Sequence, residues 1–144
     1  MNEKNYFPLS GLRVCIDNAE NGEISGVFYS PMDEKRYEVH GIEEFVLAAE
    51  EVFNEHGYPQ AYMIGRTFLK KRKDAGRYMG KPKAVCSDAC ILSHTGNLAT
   101  CDVVVESRRK ASWQGYVRDA DGNEVGDFHG ILDMADIIKR IIEG

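Results

Sequence analysis

Two spans of this chain align without a gap at an offset of 89 residues, one over 12–55 and the other over 101–144. His40-Gly41-Ile42 recurs as His129-Gly130-Ile131, Gly26 falls on Gly115, and Val14 falls on Val103. Only five of the 44 aligned positions are identical, so the weight of the alignment lies in its pattern. Val14, Cys15 and Ile16 sit over Val103, Val104 and Val105. Phe45, Ala48, Ala49, Val52 and Phe53 sit over Met134, Ile137, Ile138, Ile141 and Ile142. These last are the i, i+3, i+4, i+7, i+8 positions of one helix face, in the same phase twice. Two unrelated amphipathic helices would match in composition, but nothing would require them to match in phase. A period of this kind constrains the whole architecture.

Each span reads as β-β-β-α. In the first, strands are expected over 12–17, 24–30 and 36–39, with Asn21-Gly22 in the first turn supplying the positive φ of a tight hairpin. A helix follows from about residue 41 to 56, stopped by Gly57 with Pro59 just beyond. In the second, strands are expected over 99–106, 112–118 and 124–128, with a loop at 107–111, a turn at 119–123 and a helix over 131–142. A unit of 44 residues buries too little apolar surface to offset its chain entropy alone. The expectation is therefore one α+β domain over 1–144, a tandem β-β-β-α duplication with pseudo-twofold symmetry. Its antiparallel sheet or sheets would carry helices packed on one face.

The hydrophobic content of 43% suffices for a core, and no apolar run approaches the ~18 residues of a membrane span. The first residues show no charged-then-apolar signal pattern, so a cytoplasmic protein without a membrane partner is expected. Cys15 and Cys101 lie in apolar strand runs and read as small core residues. Residues 1–10 read as a short tail docked by Tyr6, Phe7 and Leu9.

Between the two spans lies an insert, 57–98, of different character. Residues 61–69 suit a strand, 70–83 a loop, and 84–95 a short helix or strand. Charge divides here as well. The chain carries a net −5, yet Arg66 to Arg118 holds 12 Lys/Arg against 4 Asp/Glu, a net of +8, leaving −13 on the remainder. Such asymmetry points to an anionic partner. The basic residues form two groups. Arg66, Lys70, Lys71, Arg72, Lys73, Arg77, Lys81 and Lys83 lie in the insert. Arg108, Arg109 and Lys110 lie at the turn of the second hairpin. Trp113 and Tyr78 sit among them, where they would stack on bases. These residues, with Trp113, are the expected anion-binding set. The partner is a nucleic acid, a nucleotide or an acidic protein surface. The competing reading is a solvated loop that protects a sheet edge.

The first hairpin turn is acidic where the second is basic, a contrast that would favour one pairing of halves or a head-to-tail homo-oligomer. A self-assembling structural or adaptor protein without an anionic ligand is thus the alternative function. Cys86, Cys90, His94 and Cys101 offer a third reading, a metal or thiol centre. Their spacing, C-x3-C-x3-H-x6-C, departs from the usual C-x2-C zinc knuckles. His40 and His129 precede a helix in both spans, which suits a structural job such as capping. Glu43, Glu44, Glu50, Glu51 and Glu55 read as the solvated face of the first helix. No phosphate-binding glycine motif, cofactor site or catalytic constellation is expected, and the reading is of a non-enzymatic binding module.

The run Ala99-Thr100-Cys101-Asp102-Val103-Val104-Val105, followed by Arg108-Arg109-Lys110-Ala111-Ser112-Trp113-Gln114-Gly115-Tyr116-Val117 and the spacing Leu132-x5-Ile138, resembles a set of short uncharacterised bacterial proteins. These share an A-T-x-x-V-x-V…R-x-x-A-S-W-Q-G-x-V hairpin and a closing Leu/Ile helix. The resemblance covers about 98–142 and implies a fold for the second span without an activity. Ser112-x-x-Gly115 also echoes the c-di-GMP-binding PilZ motif. Lys110 stands where that motif has an acid or amide, and no R-x-x-x-R lies upstream.

Overall fold

The apolar alternation at 12–16 and 101–105 becomes the centre of one sheet. The computed structural model describes residues 7–20, 23–58, 61–62, 84–109 and 112–143, with 61, 62 and 109 as backbone. The first span forms β1 (Gly11–Glu20), β2 (Glu23–Tyr29), β3 (Tyr37–His40) and α1 (Ile42–His56). The insert contributes β4 (Ala61–Tyr62) and α2 (Asp88–Leu92). The second span forms β5 (Ala99–Arg109), β6 (Gln114–Asp119), β7 (Glu124–Phe128) and α3 (Ile131–Glu143). The architecture is α+β. Six antiparallel strands run in the order β3-β2-β1-β5-β6-β7, accompanied by three helices among the described residues. β4 adds a short parallel pairing, Ala61 with Arg108 and Tyr62 with Arg109.

The registers of the two hairpins correspond pair by pair. Val14 faces Phe28 and Ile16 faces Gly26 in the first, while Val103 faces Val117 and Val105 faces Gly115 in the second. Each hairpin slips register once, between Ile16 and Asn18 and between Val105 and Ser107. Such bulges sharpen the local twist of a strand pair. Beside each bulge the neighbouring backbone closes in. A Cβ on Gly26 would overlap the Cys15 carbonyl oxygen, and one on Gly115 the Val104 carbonyl oxygen. A larger residue at either point would force the strands apart.

The helices start alike. The His40 backbone N–H donates to Glu44 Oε1 at 2.8 Å, and that of His129 to Asp133 Oδ2 at 3.3 Å. An acid in the first turn thus reaches back to a backbone donor just before the helix, as in a capping box. The repeated histidine acts through its backbone, and both imidazoles are exposed. Gly57 ends α1 in the left-handed region at φ 68°, its N–H donating to the Phe53 carbonyl.

Both long helices lie on one face. Leu12, Val14 and Ile16 of β1 and Cys101, Val103 and Val105 of β5 share a cluster with Phe45, Ala49, Val52 and Phe53 of α1 and Met134, Ile137 and Ile138 of α3. Each large side chain buried there contributes about 1.5–3 kcal/mol. The alternate residues point to the opposite face. There Arg13, Cys15, Asp102, Val104 and Arg118 are buried, under irregular chain rather than long helices. Phe7 and Ile91 are 3% and 1% exposed, and His94 stacks on Tyr29 with ring centroids 3.7 Å apart.

Several boundaries differ from the sequence-based expectation. β1 continues to Glu20, and β5 to Arg109, through residues read as a loop at 107–111. Ladder pairing carries the strands further than the turn signals suggest, because each added pair satisfies backbone groups. Within 84–95 the structure forms the short helix α2, whose Ser87 side chain accepts from the Cys90 N–H at 3.1 Å. Of the strand expected over 61–69, Ala61 and Tyr62 are described. Residues 63–69 and the loop expected at 70–83 lie outside the described residues. No described helix is long and apolar enough to cross a membrane.

Candidate functional site

The expected anion-binding residues divide into those the fold has drawn inside and those beyond the described chain. Arg108 occupies the strand β5 rather than a turn and is 2% exposed. Its Nη1 donates to Glu50 Oε1 at 2.7 Å and Asn54 Oδ1 at 2.9 Å, both on α1. Its guanidinium also lies 5.3 Å from the centroid of the Phe53 ring. Trp113 is fully buried. It packs edge-on against Phe45 and Phe53, and its Nε1–H donates to Glu50 Oε2 at 2.6 Å. Glu50, read as part of a solvated face, instead joins α1 to the second hairpin. The Trp113 ring therefore has no surface on which a base would stack, and the guanidinium of Arg108 is bound to internal acceptors.

Arg109 is described by its backbone at the end of β5. Arg66, Lys70, Lys71, Arg72, Lys73, Arg77, Lys81, Lys83 and Lys110 lie outside the described residues. The register of β4 nonetheless relates the two basic groups. Tyr62, four residues before Arg66, pairs in parallel with Arg109, one residue before Lys110.

The opposite face holds the ion cluster that sequence reasoning did not single out. Asp102, fully buried, accepts from Arg13 Nη1 at 2.9 Å on Oδ1. On Oδ2 it accepts from Arg118 Nη2 at 2.9 Å and Nε at 3.2 Å. Arg13 also donates to the carbonyls of Leu92 and His94, both at 3.1 Å, tying the end of α2 to the sheet. Arg118 lies 5.6 Å from the centroid of the Phe7 ring. Charges this deep persist because each finds an opposite charge and hydrogen bonds. A signal did exist, since Arg13 and Asp102 interrupt two apolar runs at positions 89 apart, with opposite charge.

Cys86, Cys90, His94 and Cys101 do not come together as one ligand set among the described residues. Cys101 is buried among the helix-face side chains, Cys86 Sγ donates to the Asp33 carbonyl at 3.6 Å, and His94 is stacked on Tyr29. Burial pushes the Cys15 thiol up to about 11, an effect that Arg13 opposes and Asp17 and Asp102 reinforce. Burial also raises Cys101, with Asp102 adding to it, and raises Cys86, with Cys90 adding to it. These three thiols are shifted away from the thiolate form that nucleophilic or metal-binding cysteines need. A shallow depression of about 230 Å³ beside β1–β3 is lined by Asp17, Arg36, Glu38 and His40 among others. Its Arg36 is already paired with Glu38 at 3.0 Å.

Comparison with known proteins returns no match for this chain among family models, curated proteins or solved structures.

Proposed function

We propose that the chain is a non-enzymatic binding module that contacts the phosphate backbone of a nucleic acid through its basic insert and the tip of its second hairpin. The observation that carries this reading is the charge division, +8 over residues 66–118 against −13 elsewhere. Supporting it, the parallel pairing of Tyr62 with Arg109 joins the backbone at the start of the insert to the backbone of the second basic group. The burial of Trp113 and the internal bonding of Arg108 narrow the contact set to Arg66, Lys70, Lys71, Arg72, Lys73, Arg77, Lys81, Lys83, Arg109 and Lys110. Without an exposed tryptophan the interaction is electrostatic and sequence-tolerant.

The frame that carries this surface is, in the same proposal, a duplicated β-β-β-α unit with pseudo-twofold symmetry. The paired registers, the matching bulges and the two caps, all spaced by 89 residues, favour it. An axis of that kind would pass through the facing pair Arg13 and Asp102, which are themselves 89 apart.

Anisotropy titrations with labelled single-stranded and duplex DNA and RNA at several salt concentrations test the binding. Neutralising roughly four phosphates gives a slope of about −3.6 on duplex DNA and about −2.8 on single strands in log K against log salt. Reversing Lys70, Lys71, Arg72 and Lys73 to Glu abolishes that affinity. Unchanged affinity after reversal, or no binding at low salt, removes the reading. A salt-dependent oligomeric mass in its place would favour the self-assembling alternative.

A further inference from the structure

The loop between β2 and β3 meets the last turn of α1 at a group that none of the foregoing uses. Asp33, Glu55 and His56 each turn a ligand-type atom to the same point, all within 4.8 Å of one another. Among the described residues, His56 Nε2 is a buried side-chain nitrogen with no hydrogen-bond partner. The ring as a whole is 24% exposed and the Asp33 side chain 10%. Asp33 is held in place, its Oδ2 accepting from the Tyr37 hydroxyl at 2.6 Å and its Oδ1 from the Lys35 N–H at 2.9 Å.

We propose that Asp33, Glu55 and His56 form a binding site for one divalent transition-metal ion of the zinc class. The separation of His56 Nε2 and Asp33 Oδ2 is 3.8 Å, too long for a hydrogen bond. A bare imidazolium–carboxylate pair would close that gap and satisfy the nitrogen. Two ligands each about 2.0–2.1 Å from a tetrahedral zinc lie roughly 3.3 Å apart, so a movement of about half an ångström brings His56 and Asp33 to ligand spacing, and Glu55, exposed and within 4.8 Å of them, closes the set by side-chain rotation. An imidazole with two carboxylates is a zinc-class set, whereas magnesium takes oxygen ligands and keeps its waters. Three protein ligands leave a fourth position open to water or a ligand. The site also lies at the C-terminal end of the 15-residue α1, where the helix dipole favours a cation. Tyr37, hydrogen-bonded to Asp33, orients the carboxylate as outer-shell partners do. Cys86 stands off to the side, its thiol on the Asp33 carbonyl, and is not one of the three. The inference is independent of the nucleic-acid reading, since none of these residues belongs to the basic set.

Equilibrium dialysis of the full chain against Zn2+, followed by elemental analysis, measures the site. One Zn2+ per chain is expected, with a thermal midpoint raised by Zn2+ and left unmoved by Mg2+ at equal concentration. His56→Gln and Asp33→Asn each weaken binding by more than the ~10–100-fold that loss of an outer-shell partner costs. Cys86→Ser with Cys90→Ser leaves it intact. Glu55→Gln, at an exposed position, serves as the ligand variant should either of the first two fail to fold. The proposal is overturned if the chain retains no Zn2+, if Mg2+ matches Zn2+, or if binding survives His56→Gln and disappears with the two cysteines.

Discussion

Each face of the sheet contains one carboxylate that holds two donors together. On the helix face Glu50 binds Arg108 and the Trp113 indole, and on the other face Asp102 binds Arg13 and Arg118. The chemistry is alike and the setting is not. The Glu50 side chain is 28% exposed, and that of Asp102 is 0% exposed. Glu50 links a helix to a hairpin over an apolar core that would cohere without it. Asp102 is the buried hub of the cover, because Arg13 fastens α2 and Arg118 sits over Phe7. Burial, rather than the number of hydrogen bonds, decides which carboxylate the fold depends on.

The largest expected effect tests that difference directly. Asp102→Ala leaves two guanidiniums buried against each other, and urea unfolding should register a loss of about 3–5 kcal/mol. Glu50→Ala frees Arg108 and the Trp113 N–H near a surface that water can reach, with Asn54 still accepting from Arg108. A loss of about 2 kcal/mol is expected, in the range for removing a charge-assisted bond. Equal losses from the two variants would break the comparison. A larger loss from Glu50→Ala would reverse it and make the helix–hairpin joint the keystone.

The same contrast explains what could be read in advance. The strand at 124–128 was expected as Glu124–Phe128 is observed, and the closing helix differs by one residue at its end. Both follow from an apolar period and a turn, which are local properties. The helix face was legible for the same reason. The other face was not, because its cover is irregular chain held by backbone carbonyls such as those of Leu92 and His94. Carbonyls have no sequence signature. Arg108 reads as a turn residue because the apolar alternation of the strand stops at 105, and Trp113, at the start of the returning strand, carries no mark of the helix that covers it. Three residues of added strand, with a helix glutamate overhead, turn Arg108 from a hairpin-turn residue into an interior joint. Asp33 and His56 come together only through the packing of a loop on a helix end, which no spacing announces.

A finer comparison of the two faces uses the thiols they bury. Cys15 lies beneath the irregular cover and Cys101 beneath the helices, and both are at most 2% exposed. Their folded thiols keep protons to higher pH than the unfolded chain, so stability is complete below the ordinary value of 9.0. It falls as pH rises from there, for Cys15 toward about 11. Alkylation below that window therefore reads opening of the cover rather than loss of stability. Exposed Cys90 should label at once in the native protein. In sub-denaturing urea Cys15 should label before Cys101, since a cover with few apolar contacts opens at lower free energy than a packed helix layer. Peptide-resolved labelling by mass spectrometry gives the order. Simultaneous labelling of the two would mean that the faces open as one unit, and that the Asp102 hub binds the irregular cover as firmly as the core binds the helices.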